Sequence, residues 1–543
     1  MTRRTLMKRL AGGVAAAGLP GRAPAQQRKI AEGMFKPAWD SLKQYTTPDW
    51  FRDAKFGIWA HWSAQCVPEQ GDWYARQMYI QGSAQNKFHV ERYGHPSKFG
   101  FMEIDNLWKA EKWEPEVLIG RYVKAGAKYF VSLANHHDNF DNYDSTYHSW
   151  NSLKVGPKKD IVGTWARIAR AHGLRFGVSN HSAHAWHWFQ TAYGYDPEGA
   201  MAGVPYDGFT TRESGKGKWW DGLDPQQLYT GPTMVMPKGI ATIKEAQQWH
   251  EQHDRKWNEE PPANNPKFVE SWFLRCQELM DKYQPDLVYF DNTELPLGQA
   301  GLDIAAHFYN SSIKRNGSLQ AVLNSKGLKP EHVGAMVLDI ERGRADRILP
   351  APWQTDTCIG EWHYRRSLFE QHRYKTARQV IQTLADIVSK NGNLLLSIPL
   401  RGDGSIDEDE SALIDSLASW MPANGEAIFG TRPFTVFGEG APDVKGTGNF
   451  NEGRGRTYTA KDIRFTTKGD TLYAIALAWP EDGKLTIETL AQGKSEYPKQ
   501  IGQVELLGSA GPLLFDRQAA GLTVTLPEKR PNEYAFVLKI RPA

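Results

Sequence analysis

From about residue 50 to residue 430 the chain alternates short apolar runs with longer amphipathic segments, and this alternation limits the fold more than any other feature. "FGIWAHW" (56–62), "KYFVSLANH" (128–136), "RFGVSNH" (175–181), "DLVYFD" (286–291), "AVLN" (321–324), "MVLDIE" (336–341) and "NLLLSI" (393–398) read as strands. Between them, "PEVLIGRYVKAGA", "DIVGTWARIARAHGL", "NPKFVESWFLRCQELMDKY" and "TARQVIQTLADIVSKNG" carry apolar residues three and four apart and stop at glycine or polar residues, as helices do. Strands that are apolar throughout are buried on both faces, the mark of a parallel sheet covered by helices. In a segment of this length, about eight such units close into a (β/α)8-like TIM barrel in preference to an open sheet. Seven strands are visible in the sequence and the eighth is inferred. The expectation is an α/β fold with its barrel over residues 35–430.

Two stretches depart from that rhythm. Residues 187–264 carry many Gly, Pro, Asp and Trp residues with little periodicity, too long for a plain connection, and are expected to form a functional loop over the barrel mouth. Past residue 430 the runs shorten and alternate, as in "DIRFTTKGDTLYAIALAWP" and "GLTVTLPEKRPNEYAFVLKI". These read as hairpins of a C-terminal β-sandwich over 431–543.

At the N-terminus, Arg3 and Arg4 precede a short, mildly apolar stretch and the small-residue site Ala23-Pro24-Ala25. That is the pattern of a twin-arginine export signal over 1–25, and it places the mature protein in the periplasm or outside the cell. No stretch is long enough to span a membrane. The chain has 65 basic and 62 acidic residues, and the signal holds five of the basic ones and no acid, so the remainder is close to neutral and carries no nucleic-acid footprint. Cys66, Cys276 and Cys358 are odd in number and far apart, which implies neither a disulfide framework nor a zinc knuckle. The 20 Trp, 21 Tyr and 23 Phe matter because flat rings either fill cores or stack on the apolar faces of sugars.

In a barrel of this type the chemistry comes from the C-terminal ends of several strands. The polar residues at those ends are His61, His136, His137, Asn180, His181, Asp291, Asn324, Glu341 and Arg342. Asp291 stops an apolar run with no turn residue between, and a ring of His and Arg would hold it ionised and oriented as a nucleophile. A metal site is not expected: the spacing H-x-H is absent from "NHHDNFD", and neighbours on a strand point to opposite sides. Phosphate-binding glycine loops and nucleophile-elbow serines are absent too, and no cofactor is expected.

"WFRDAKFGIWAHWSAQCVPEQGDWYARQMY", "AKYFVSLANHHDNFDNYDS" and "NLLLSIPLRGDGSI" together resemble the ordered motifs of the α-L-fucosidases of glycoside hydrolase family 29, over roughly residues 35–540. The resemblance implies a retaining, exo-acting hydrolase built as a barrel followed by a sandwich, with a fucosylated glycan as its partner. It matches Asp291 to the nucleophile and His61, His136 and His137 to sugar-hydroxyl ligands. It also matches Trp73 and Tyr74 to a pocket wall and Arg342 to a further pocket residue.

One departure stands out. "APWQTDTCIGEWHYRR" (351–366) is similar to the family segment that supplies the acid/base glutamate after a Trp, and here that place holds Gln354, whose amide transfers no proton at neutral pH. Asp356, two residues on, is the first candidate to replace it, with Glu294 and Glu361 as alternatives. The "SWGY"-like element is also altered, to Glu361-Trp362-His363-Tyr364, which leaves room for a related sugar such as L-galactose. A barrel lacking the acid would instead be a non-catalytic glycan-binding protein.

Overall fold

The computed structural model describes residues 28–543, apart from 442, 443, 454 and 455. The expected export signal therefore lies outside the described residues.

Eight parallel strands close into a barrel in chain order: β1 (Phe56–Ala60), β2 (Tyr129–Asn135), β3 (Arg175–Asn180), β4 (Leu287–Phe290), β5 (Val322–Lys326), β6 (Val337–Asp339), β7 (Trp353–Cys358) and β8 (Gly392–Ser397). Register runs on around the ring, with β8 pairing back onto β1 through Leu394 and Phe56. Apart from Leu338 on β6 and Arg175 on β3, the strand residues are buried, as apolar runs covered by helices require. Helices Pro115–Lys124, Ile161–Ala171, Pro266–Tyr283, Gln299–Asn316 and Ala377–Ser389 connect strands on the outside, and Glu408–Asn424 follows β8. Four of these start on a side-chain cap, and Thr376 with Gln379 and Asp407 with Glu410 form reciprocal capping boxes.

The strand that the sequence left to inference is β7, "WQTDTC". Its inward residues are polar, so no apolar run marks it. Trp353, Thr355 and Thr357 alternate with Gln354, Asp356 and Cys358, and all six are buried.

Beyond the barrel, β9 (Arg432–Glu439), β10 (Ile463–Lys468), β11 (Thr471–Ala476), β13 (Ile501–Leu506) and β16 (Phe536–Pro542) form a five-stranded antiparallel sheet. A second sheet holds β12 (Lys484–Ile487), β14 (Phe515–Gln518) and β15 (Gly521–Thr525). Residues of both, among them Phe465, Leu485, Val504 and Val524, share one apolar core. Tyr473, Ile475, Leu477, Ala535 and Val537 instead belong to the barrel's own core, so the two parts are packed together.

The 187–264 segment is more structured than its composition suggests. It carries short helical turns and the helix Ile243–Gln252. Buried polar pairs fix it to the barrel in place of an apolar stripe. Arg76 bonds to Asp254 at 2.5 Å and to the Trp188 carbonyl at 2.7 Å, His250 bonds to Asp254 at 2.7 Å, and Tyr79 donates to Asp207 at 2.7 Å.

Candidate active site

A cavity of about 900 Å³ opens at the C-terminal end of the barrel strands, where this fold places its chemistry. Strand order divides its floor into two halves. β1, β2 and β3 end in His61, His136–His137 and His181, while the next four strands deliver Asp291, Lys326, Glu341 and Asp356. One side is imidazole and the other is charged.

Asp291 follows directly on β4 and is 5% exposed. His137 Nε2 and His181 Nδ1 approach one of its oxygens at 3.1 and 3.0 Å, and the Lys326 ammonium contacts the other. Burial alone would push this carboxyl up, but Lys326 and the two histidines outweigh it and hold it well below the usual carboxylate range. Asp291 is therefore an ionised, oriented carboxylate.

The same ammonium also holds Glu341, at 2.6 Å. Two carboxylate oxygens paired to one nitrogen lie within about 5.5 Å of each other, a bound compatible with a retaining pair of carboxyl groups and shorter than an inverting pair needs. Burial pushes Glu341 up to about 7, helped by Asp356 and Asp291 and opposed by Lys326. An acid with that value both gives and takes a proton near neutrality. The two environments thus drive neighbouring carboxyls in opposite directions, which separates a nucleophile from a proton donor. Burial works against the charge on Lys326, yet Asp291 and Glu341 raise its pKa above the ordinary lysine value, so it stays a cation.

Asp356 lies deeper. It accepts from Tyr289 Oη at 3.0 Å, and burial raises it. Asp339 beside it is raised well above the ordinary value, first by burial and then by Asp356, so this pair retains a proton. One layer below, Gln354 accepts from Tyr129 Oη at 3.0 Å and donates to Asp339 at 2.8 Å. It occupies the second position of β7, inside the barrel, and does not line the cavity. Gln354 is therefore no vacancy in the site: its place in the strand could not present an acid to the cavity.

Three further expectations are corrected. Glu294 turns away to His332 at 2.5 Å and to Lys329, Glu361 bonds Arg365 and the Asp72 amide, and neither lines the cavity. Tyr74 is fully buried and bonds His89 at 2.7 Å: Trp73 sits in left-handed backbone (φ 65°) and Tyr74 opens the next helix, so the two side chains part company. Trp73 and Arg342 do line the cavity, as do His61, His136 and His137.

Burial, followed by the crowding of neighbouring imidazoles, keeps His61 and His136 far below the ordinary histidine value, so both are neutral. Both ring nitrogens of His61 are buried with no hydrogen-bond partner, poised for hydroxyls. Two trios, His61–His136–His363 and His136–His137–His181, each bring three ligand atoms within 4.8 Å, and either is where a divalent transition ion would be held. The alternation rule gave no warning, because His136 and His137 lie past the end of β2 and both face the cavity.

Sequence reasoning passed over Lys326 and Asp72. Lys326 shares a strand face with Val322 and Asn324, a period-two signal that runs two residues beyond the "AVLN" run. Asp72, before Trp73, lines the cavity and accepts from the backbone of His363 at 2.7 Å.

The family model described as "Alpha-L-fucosidase" matches residues 23–426, and "Alpha-L-fucosidase C-terminal domain" matches residues 457–541. Tissue alpha-L-fucosidase of Rattus norvegicus is 26% identical over 536 residues, covering 95% of each chain. The Homo sapiens protein of that name is 25% identical, covering 96% of this chain and 94% of its own. Among solved structures, Thermotoga maritima alpha-fucosidase in complex with fucose is 25% identical with a TM-score of 0.66, over 93% of this chain and 100% of that one. A model match across about three-quarters of the sequence, joined to a closed barrel with a carboxylate pair at its mouth, places this chain in the α-L-fucosidase family of glycoside hydrolases.

Proposed function

We propose that the protein is an exo-acting, retaining α-L-fucosidase in which Asp291 is the nucleophile and Glu341 the acid/base. The observation that carries this reading is the Lys326 ammonium joining the two carboxyls, one held ionised and the other raised to about 7. In the first step an Asp291 oxygen attacks the anomeric carbon while Glu341 protonates the departing glycosidic oxygen, leaving a glycosyl ester. In the second, Glu341 takes a proton from water, the water oxygen bonds to the anomeric carbon and the Asp291 ester bond breaks. Lys326 balances the charge that shifts between the two. His61, His136 and His137 receive the sugar hydroxyls, and Trp73 and Arg342 wall the pocket. The fucosyl group of a glycan is the proposed donor, with L-galactose as the related sugar to compare, and export by the twin-arginine signal over 1–25 would place the enzyme in the periplasm or outside the cell.

The test uses 4-nitrophenyl α-L-fucoside beside the α-L-galactoside. Wild type is expected to release nitrophenol from the fucoside, and Asp291→Ala to release none while remaining folded. Glu341→Gln should lose about 10²–10⁴-fold on a natural disaccharide but far less on the aryl glycoside, whose leaving group needs little protonation. Full activity in Asp291→Ala would sink the assignment.

The glycan-binding alternative drew its force from Gln354, and that residue lies below the site. Binding of fucose with no cleavage of either glycoside would restore it.

A further inference from the structure

Residues 444–453 lie between the two stretches that the family models match. They reach from the C-terminal part of the chain onto the loop that follows β6. The Glu341 amide donates to Asn449 Oδ1 at 3.0 Å, and the Phe450 amide donates to the Glu341 carbonyl at 2.8 Å. Arg344 and Asn451 exchange two bonds, at 2.7 and 3.0 Å, and Glu452 accepts from Arg342 at 2.9 Å. The segment is thus stitched to the acid/base loop on both sides of Phe450.

Phe450 itself does the opposite of what its chemistry favours. It is 67% exposed, its backbone is left-handed (φ 57°), and its ring lines the cavity that holds Asp291 and Glu341. A bulky residue in that backbone region is costly and persists only where its surroundings fix it, which points to use. Phe450 is bonded through its amide to Glu341, the residue that protonates the departing oxygen in the reading above, and lines the same cavity, which puts it on the leaving-group side. At about 900 Å³ the cavity reaches the upper part of the range for small-molecule sites, with room beyond one sugar ring.

We propose that Phe450 is the stacking platform for the leaving group, so that this site favours substrates whose departing part is itself a pyranose with an apolar ring face. The proposal rests on the hydrolase reading above. Its test compares fucosyllactose, whose leaving group is a sugar, with α-L-fucosyl fluoride, whose leaving group has no ring. Phe450→Ala is expected to lower kcat/KM about tenfold on fucosyllactose, the order of one ring's stacking and burial, and to leave the fluoride unchanged. Phe450→Trp should keep the fucosyllactose rate. An equal fall on both substrates would make Phe450 a support for Glu341 and overturn the platform, as would no fall on either. If wild type leaves the fluoride intact, the hydrolytic reading fails first and the platform with it.

Discussion

Asp291, Lys326 and Glu341 form a chain of alternating charge, and Asp356 stands beneath it as a fourth charged group. Because Asp356 raises Glu341, removing its charge lowers the point at which Glu341 gives up its proton. With Glu341 as the proposed acid, glycosylation needs it protonated, so kcat/KM on an unactivated substrate is expected to fall as pH rises through about 7. Asp291 is ionised far below that, so its own protonation sets no limb near neutrality. In Asp356→Asn the alkaline limb should move to lower pH with the plateau largely kept. A pH profile in which Asp356→Asn lost the whole plateau, and recovered it with added azide, would return the acid/base role to Asp356.

Among the elements, the 187–264 segment is anchored most deeply by the buried ion pair of Arg76 with Asp254. Arg76 and Asp254 are about 1% and 0% exposed at their side chains, and removal of Arg76 leaves the buried Asp254 carboxylate with His250 as its remaining side-chain partner. Arg76→Met is therefore expected to cost about 3–5 kcal/mol of stability, measured by denaturant unfolding. It should also free Arg255 and Trp257, which carry this segment's share of the cavity wall. Such anchors explain why the segment read as a loop: pairing between distant residues leaves no periodic trace. The strands with apolar faces were legible, and so were Asp291 and the histidines, because a polar residue at the end of an apolar run is a local signal. β7 was not, since its inward residues serve the polar layers built around Asp339, Tyr129 and Tyr289. The contact that favours Glu341 over Asp356 was hidden for a related reason: strand parity makes Asp356 visible in the sequence, while the pairing of Glu341 with Lys326 is made between two strands and leaves no local trace.

For the molecule as a whole, the sandwich and barrel share apolar core and polar ties. Trp420 donates to the Ala535 carbonyl at 2.9 Å, and buried Arg464 reaches Asp386 of the helix before β8 at 2.6 Å. A chain ended before Arg432 would expose the face occupied by Tyr473, Ile475 and Val537, and is expected to be insoluble or inactive. A soluble, fully active truncation, checked by gel filtration and nitrophenol release, would contradict this. The 444–453 segment has a different bearing at this scale. It is short, largely outside both apolar cores, and borders Glu341 without belonging to the cavity floor formed by the strand ends. Because Asn449, Asn451 and Glu452 hold the segment to the Glu341 loop, a change confined to the Phe450 side chain leaves those bonds in place, so lineages descended from such a protein have one position at which taste for new glycans can drift while the catalyst stays intact.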